Sequence, residues 1–137
     1  MSTSKQTKAK ATFEVKTWDE KPYSELDGGA KFTRVNVTVS IHGDIEGEGT
    51  LEYLMFYPGD GSASIVGLEH VIGQIGDRAG SFVLHHTGTD DGSTTRSTYF
   101  VVPGSGTGEL RGLRGKGRSV LSRNKPQYSM PLNYDFE

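Results

Sequence analysis

Glu69 interrupts an otherwise apolar run, Ile65-Val66-Gly67-Leu68-Glu69-His70-Val71-Ile72. On a strand it shares a face with Ile65, Gly67 and Val71, because successive side chains point to opposite faces. A carboxylate on a buried face can serve as an acid or a base. The structural alternative is an ion pair with an arginine, Arg78 or Arg96, that only stabilises the fold. His85 and His86 are neighbours and must point oppositely on a strand. His86 shares a face with Phe82 and Leu84, so it is the candidate for the interior. Glu69 and His86 are therefore the candidate catalytic pair, each with a core-filling alternative.

Tyr53, Tyr57 and Tyr134 are candidate ligand contacts, offering a flat apolar body and a hydroxyl. Tyr53 and Tyr57 alternate with Leu51 and Met55, which suits an interior face. Arg78 and Arg96 are the candidate cations for an anionic ligand. Glu46, Glu48 and Glu52 share the other face of the same run with Leu54 and Phe56, and read as a solvated outer face. The four histidines lack the paired spacing that gathers metal ligands, and there is no cysteine. No metal or cofactor is expected. There is no G-x-S-x-G elbow.

The stretch Val101–Arg118, VVPGSGTGELRGLRGKGR, raises the question of a phosphate loop. A P-loop needs Gly-Lys-Ser/Thr; here Gly115-Lys116 is followed by Gly117, and Leu110 stands where the first glycine belongs. A dinucleotide fingerprint fails at Glu109 or Arg111, depending on the starting glycine. The stretch reads as a corner: Pro103 stops a strand and the glycines let backbone pass close to backbone. Six basic residues and no acid lie between Arg111 and Lys125, so a weak anion site on this corner is the functional alternative.

The elements that position these residues are strands. Turn signals recur at Asp27-Gly28-Gly29, His42-Gly43-Asp44, Pro58–Gly61, Gly76-Asp77, Gly88–Gly92, Pro103–Gly108 and Asn124-Lys125-Pro126. The clearest run between them is 32–41, where Val35, Val37, Val39 and Ile41 share one face and Arg34, Asn36, Thr38 and Ser40 the other. Other strands are expected near 11–18, 46–57, 62–75, 79–87, 93–102 and 115–121. In the last run Tyr128, Met130, Leu132, Tyr134 and Phe136 share a face, with Pro131 interrupting the ladder. One helical turn is expected at Glu109–Leu113. Eight evenly spaced strands predict an all-β, antiparallel, up-and-down barrel.

The chain is one domain long, with a net charge of −2 that gives no pull toward nucleic acid or acidic lipid. No apolar run reaches the length of a membrane span. Residues 1–10, MSTSKQTKAK, read as a flexible basic arm ahead of a single barrel domain over 11–137. The absence of cysteine suits a reducing compartment, so a cytoplasmic location is expected.

GDIEGEG (43–49), EYLMFY (52–57), DGSASIVGLEHVIG (60–73), DRAGSFVLHHTG (77–88), VVPGSGTGELRGLRGKG (101–117) and the ending LNYDFE (132–137) occur in order. Together they resemble the bacterial DUF3224 family, from about Ala11 to Glu137. His70 departs from the pattern, since Arg is expected after Gly-Leu-Glu. The resemblance implies a calycin-like barrel similar to that of allene oxide cyclases, and GTGELRGLRG is similar to the corner of plant dirigent proteins. It implies no established activity. The leading expectation is a barrel that binds a small hydrophobic or anionic molecule. The alternatives are a cofactor-independent cyclase or isomerase, in which Glu69 or His86 moves a proton, and a structural homo-oligomer.

Overall fold

The computed structural model describes residues 6–122, 125 and 127–137. Its strands are β1 (Thr7–Ala9), β2 (Ala11–Glu25), β3 (Lys31–Gly43), β4 (Ile45–Tyr57), β5 (Ala63–Ile75), β6 (Arg78–Asp90), β7 (Thr94–Val101), β8 (Leu113–Ser122), β9 (Tyr128–Ser129) and β10 (Leu132–Phe136). All pairings are antiparallel, in the order β1-β10-β8-β7-β6-β5-β4-β3-β2-β9. The all-β, antiparallel expectation holds. The expected turn at Asn124–Pro126 lies outside the described residues except for Lys125, and Arg123 of the basic stretch lies outside them too.

The eight uninterrupted strands of a closed barrel are not what forms. The sheet is a ten-stranded, curled half-barrel whose ends meet only over short pieces. Thr7 pairs with Tyr134 and Phe13 with Tyr128, but the ladder between them is broken at Lys10 and at Met130-Pro131. Proline has no N–H to give, and the Lys10 N–H turns away to Asp44 Oδ2 at 2.8 Å. One bond crosses the break, from Met130 N–H to Ala11 O at 2.8 Å. Beyond Phe13 no described strand pairs with the far edge of β2, which opens that end of the sheet. Residues 7–9, which the sequence places in the basic arm, are strand, and Ala9 is buried.

The alternation read in the sequence is the alternation of burial. Val35, Val37, Val39 and Ile41 on β3 are buried, as are Leu51 and Met55 on β4 and Phe82 and Leu84 on β6. Glu46, Glu48 and Glu52 point outward, where Lys16 and Arg34 meet Glu48 and Glu52. β2 runs seven residues past its expected end at 18 and carries two bulges, between Val15 and Thr17 and between Pro22 and Ser24. Each extra residue reverses which side chains face inward.

The glycine-rich corner is structural. β7 pairs with β6 only from Leu84 onward, which leaves the earlier backbone of β6 without a strand. The 102–110 segment supplies the missing partners. Val102 N–H donates to Val83 O (2.8 Å) and Thr107 N–H to Ser81 O (2.9 Å). In return Ser81 N–H donates to Thr107 Oγ1, Val83 N–H to Ser105 Oγ and Ala79 N–H to Glu109 Oε1. The close run of Thr107 O over Gly80 leaves no room for a Cβ there. A single 3₁₀ turn, Gly108–Leu110, drives Leu110 to 0% exposure in the core. Of the basic residues beyond it, Arg114 is held by Asp135 through Nε–Oδ1 (2.9 Å) and Nη2–Oδ2 (3.1 Å), while Lys116 and Arg118 are exposed on the outer face of β8.

Candidate functional site

The curled sheet encloses a cavity of about 550 Å³. One layer of the sheet builds its floor. Tyr53 on β4 pairs with Gly67 on β5, Gly67 with His86 on β6, His86 with Tyr99 on β7, and Tyr99 with Gly117 on β8. The two glycines are what admit the rings. A Cβ on Gly67 would strike the Tyr53 ring, and one on Gly117 would strike the Tyr99 ring. His86 sits between these tyrosines, edge-on to Tyr53 (centroids 6.0 Å apart) and tilted against Tyr99 (5.3 Å).

Glu69 and His86 are brought together as the inward parity of their strands predicts. His86 Nε2 lies 2.7 Å from Glu69 Oε1, with Glu69 2% and His86 8% exposed. Nε2–H donating to a carboxylate leaves Nδ1 as the acceptor nitrogen of the ring. The arginine partners expected for Glu69 are elsewhere. Arg78 is exposed and stacks its guanidinium over Phe136 at 4.2 Å; Arg96 is exposed on the outer face of β7. Neither lines the cavity. His85 points outward and stacks on Phe100 (4.9 Å), and His70 is exposed between Thr50 and Val83.

Tyr53 and Tyr57 line the cavity as expected; Tyr134 does not, and packs instead edge-on to Phe136 at 6.0 Å. Burial pushes the Tyr53 hydroxyl well above the usual phenol range, and the Glu69 charge adds to it. Burial also pushes Tyr99 up to about 12, with the Glu69 charge adding and a hydrogen bond with Ser119 opposing. The Tyr99 hydroxyl donates to Pro131 O, tying the floor to the seam between β8 and β10. Both tyrosines therefore stay protonated at any ordinary pH.

Glu20 is a cavity-lining residue that the sequence reading missed. It lines the mouth of the cavity and accepts hydrogen bonds from Tyr57, from Thr33 Oγ1 (2.7 Å) and from Trp18 Nε1 (3.2 Å). Burial works to raise its pKa, but these three donors and the charge of Lys31 outweigh it, and the carboxyl is held below the usual range. Burial and then the Glu20 hydrogen bond push Tyr57 up to about 12. Glu20 lies past the expected end of its strand at 18, and only the bulge after Val15 gives it an inward phase.

The sequence matches, over residues 9–134, the family described as protein of unknown function (DUF3224). The chain belongs to the DUF3224 family. A DUF3224 protein of unknown function from Shewanella oneidensis MR-1, solved by crystallography, is similar in structure, with 32% sequence identity and a TM-score of 0.80. The match covers 97% of this chain and 99% of that one. No curated protein matches. The DUF3224 sheet thus carries its cavity without a reaction assigned by kinship. Among the described residues no helix is long and apolar enough to cross a membrane, and no three His, Asp or Glu side chains gather as a metal site. On the outer face of β5, Val66, Leu68 and Ile72 are exposed, with Leu54 of β4 beside Val66.

Proposed function

We propose that this DUF3224 protein binds one small, largely hydrophobic molecule inside the curled sheet. The observation that carries the reading is the cavity itself: about 550 Å³, walled by residues such as Val37, Leu51 and Met55, and floored by the buried Glu69–His86 pair. Volumes of this order, mostly apolar with a few converging polar groups, are those of small-molecule sites. The ligand's inner end meets His86, Glu69 and the Tyr53 hydroxyl. The test is a thermal-shift screen of a metabolite library against the wild type and Glu69→Gln. A molecule that binds the folded state raises the melting temperature by mass action. A hit weakened in Glu69→Gln places it at the floor; a library that shifts neither protein rejects the reading.

A second reading, a cofactor-independent isomerase or cyclase, is favoured by one feature of the pair. Glu69 fixes the imidazole through Nε2, and an imidazole so held presents Nδ1 as a base. No arginine neutralises Glu69 among the described residues. The likeness to allene oxide cyclase barrels implied by the motifs adds a precedent in fold alone. Exchange of a ligand's acidic C–H for deuterium, catalysed by the wild type and abolished in His86→Gln, supports it; binding without exchange rejects it. Assembly of copies through Val66, Leu68 and Ile72 is a separate proposal. A monomer by sedimentation at micromolar concentration rejects that.

A further inference from the structure

The sign of the charge that the cavity accepts is written in its lining. Among the described residues that line it there is no lysine and no arginine, while three acidic residues, Glu20, Glu69 and Asp90, belong to the lining. The aromatic content is high: Phe13, Trp18, Tyr53, Tyr57, Tyr99 and Tyr128 all contribute. At the floor, Glu69 is matched by His86. At the mouth, the three hydrogen bonds that hold Glu20 come from neutral donors; Lys31 is near enough for its charge to act on the carboxylate but makes no ion pair with it within 4.0 Å. A carboxylate fixed by three such bonds keeps its charge and its place, and with no cation in direct contact it can still accept one from a ligand. The rings of Trp18 and Tyr57 stand beside it, and faces of this kind attract cations. Tyr57 already holds one: Lys31 Nζ lies 5.1 Å above its ring, although Lys31 does not line the cavity. Deeper in, Tyr53 is half-buried and lines the cavity, so its hydroxyl is open to a polar group of a ligand.

We propose that the cavity takes an organic cation, an amine or quaternary ammonium with an apolar body. The charged nitrogen sits at the mouth against Glu20 and between the Trp18 and Tyr57 rings. The apolar body runs inward past Met55 and Leu51 toward the floor. This rests on the reading of the cavity as a small-molecule site and gives that ligand its class. An anionic ligand, in contrast, would meet a lining with three acidic residues and, among the described residues, no guanidinium or ammonium group.

The protein carries its own reporter. Trp18 is the sole tryptophan in the sequence, is 51% exposed and lines the mouth. Three probes of one chain length, octylammonium, octanol and octanoate, are titrated while Trp18 fluorescence is followed, with calorimetry as a second readout. Octylammonium is expected to bind about tenfold more tightly than octanol at low salt, and octanoate more weakly than both. Glu20→Gln is expected to bring octylammonium to the level of octanol while leaving octanol unchanged. Added salt does the same to the wild type, with no substitution needed. Equal binding of all three probes, or a preference for octylammonium that survives both Glu20→Gln and salt, overturns the cation assignment and leaves the binding site standing. If none of the probes binds, both fall.

Discussion

Glu69 and His86 meet on a diagonal of the sheet, not as cross-strand partners. Glu69 stands opposite Leu84, and His86 stands opposite Gly67, two residues before Glu69 on β5. The diagonal is reached because Gly67 puts no side chain between them. The pair is buried enough that each half protects the other from an unsatisfied site. Glu69→Ala and His86→Ala are each expected to cost about 1–3 kcal/mol, and the double variant less than their sum, with a coupling of about 1 kcal/mol or more. Urea unfolding of the four proteins of the cycle measures it. Strict additivity would mean that the 2.7 Å contact contributes nothing.

Gly117 supports the site from outside it. Its Cβ position is taken by the Tyr99 ring and by Pro131 O. The backbone oxygen cannot swing away as a side chain would. Gly117→Ala is expected to cost about 1–3 kcal/mol through overpacking and to break the hydrogen bond of Tyr99 to Pro131. Hydrogen exchange should then quicken in β9 and β10 ahead of the rest. Unchanged exchange along that seam would show that Tyr99 does not hold it.

The mouth predicts two pH limbs of opposite sign. Glu20 is held below its ordinary 4.5, so its contribution to stability is complete above that value and is lost as pH falls through the lowered pKa. Tyr57 is raised from 10.0 to about 12, so its contribution is complete below pH 10 and is lost as pH rises toward about 12. Glu20→Gln should flatten the acid limb. It should also move the Tyr57 phenolate transition down, though not to 10.0, because burial is the larger cause of the shift. Ultraviolet titration of tyrosinate checks this against Tyr57→Phe, and identical curves for wild type and Glu20→Gln would remove Glu20 as a cause.

Strand parity was legible in the chain, and register was not. Val35 through Ile41 announce their inward face, and the same counting puts Glu69 and His86 inside. Counting cannot say which strands lie side by side at which offset, so Arg78 and Arg96 looked like partners for Glu69. Arg78 begins β6 next to Phe136, and Arg96 has the outward parity of β7, opposite to Tyr99. Tyr134 has the right parity, but it lies on the seam with β1 and β8, away from the cavity. Glu20 needed a bulge to face inward, and a bulge leaves no period in the sequence. The interruption of the last strand at Pro131 was readable, because proline has no N–H for the ladder. Its counterpart at Lys10 depends on a tertiary bond to Asp44 and was not.

Leu110 gives the glycine-rich corner its clearest test. Its side chain is fully buried at the end of a 3₁₀ turn whose flanking backbone supplies the missing edge of β6. If the corner exists to seat this plug, Leu110→Ala is expected to cost about 2–5 kcal/mol, the range for a leucine lost from a packed core. Leu110→Met keeps the volume and should cost less than about 1.5 kcal/mol. Arg111→Ala, one residue on and exposed, should change stability by less than about 0.5 kcal/mol. If the corner were instead an anion site, the order would invert under phosphate. Added phosphate would stabilise the wild type, and Arg111→Ala would lose that gain. Melting curves of the three variants with and without phosphate separate the two roles, and the hydrogen bonds of 102–110 to Ala79, Ser81 and Val83 favour the plug.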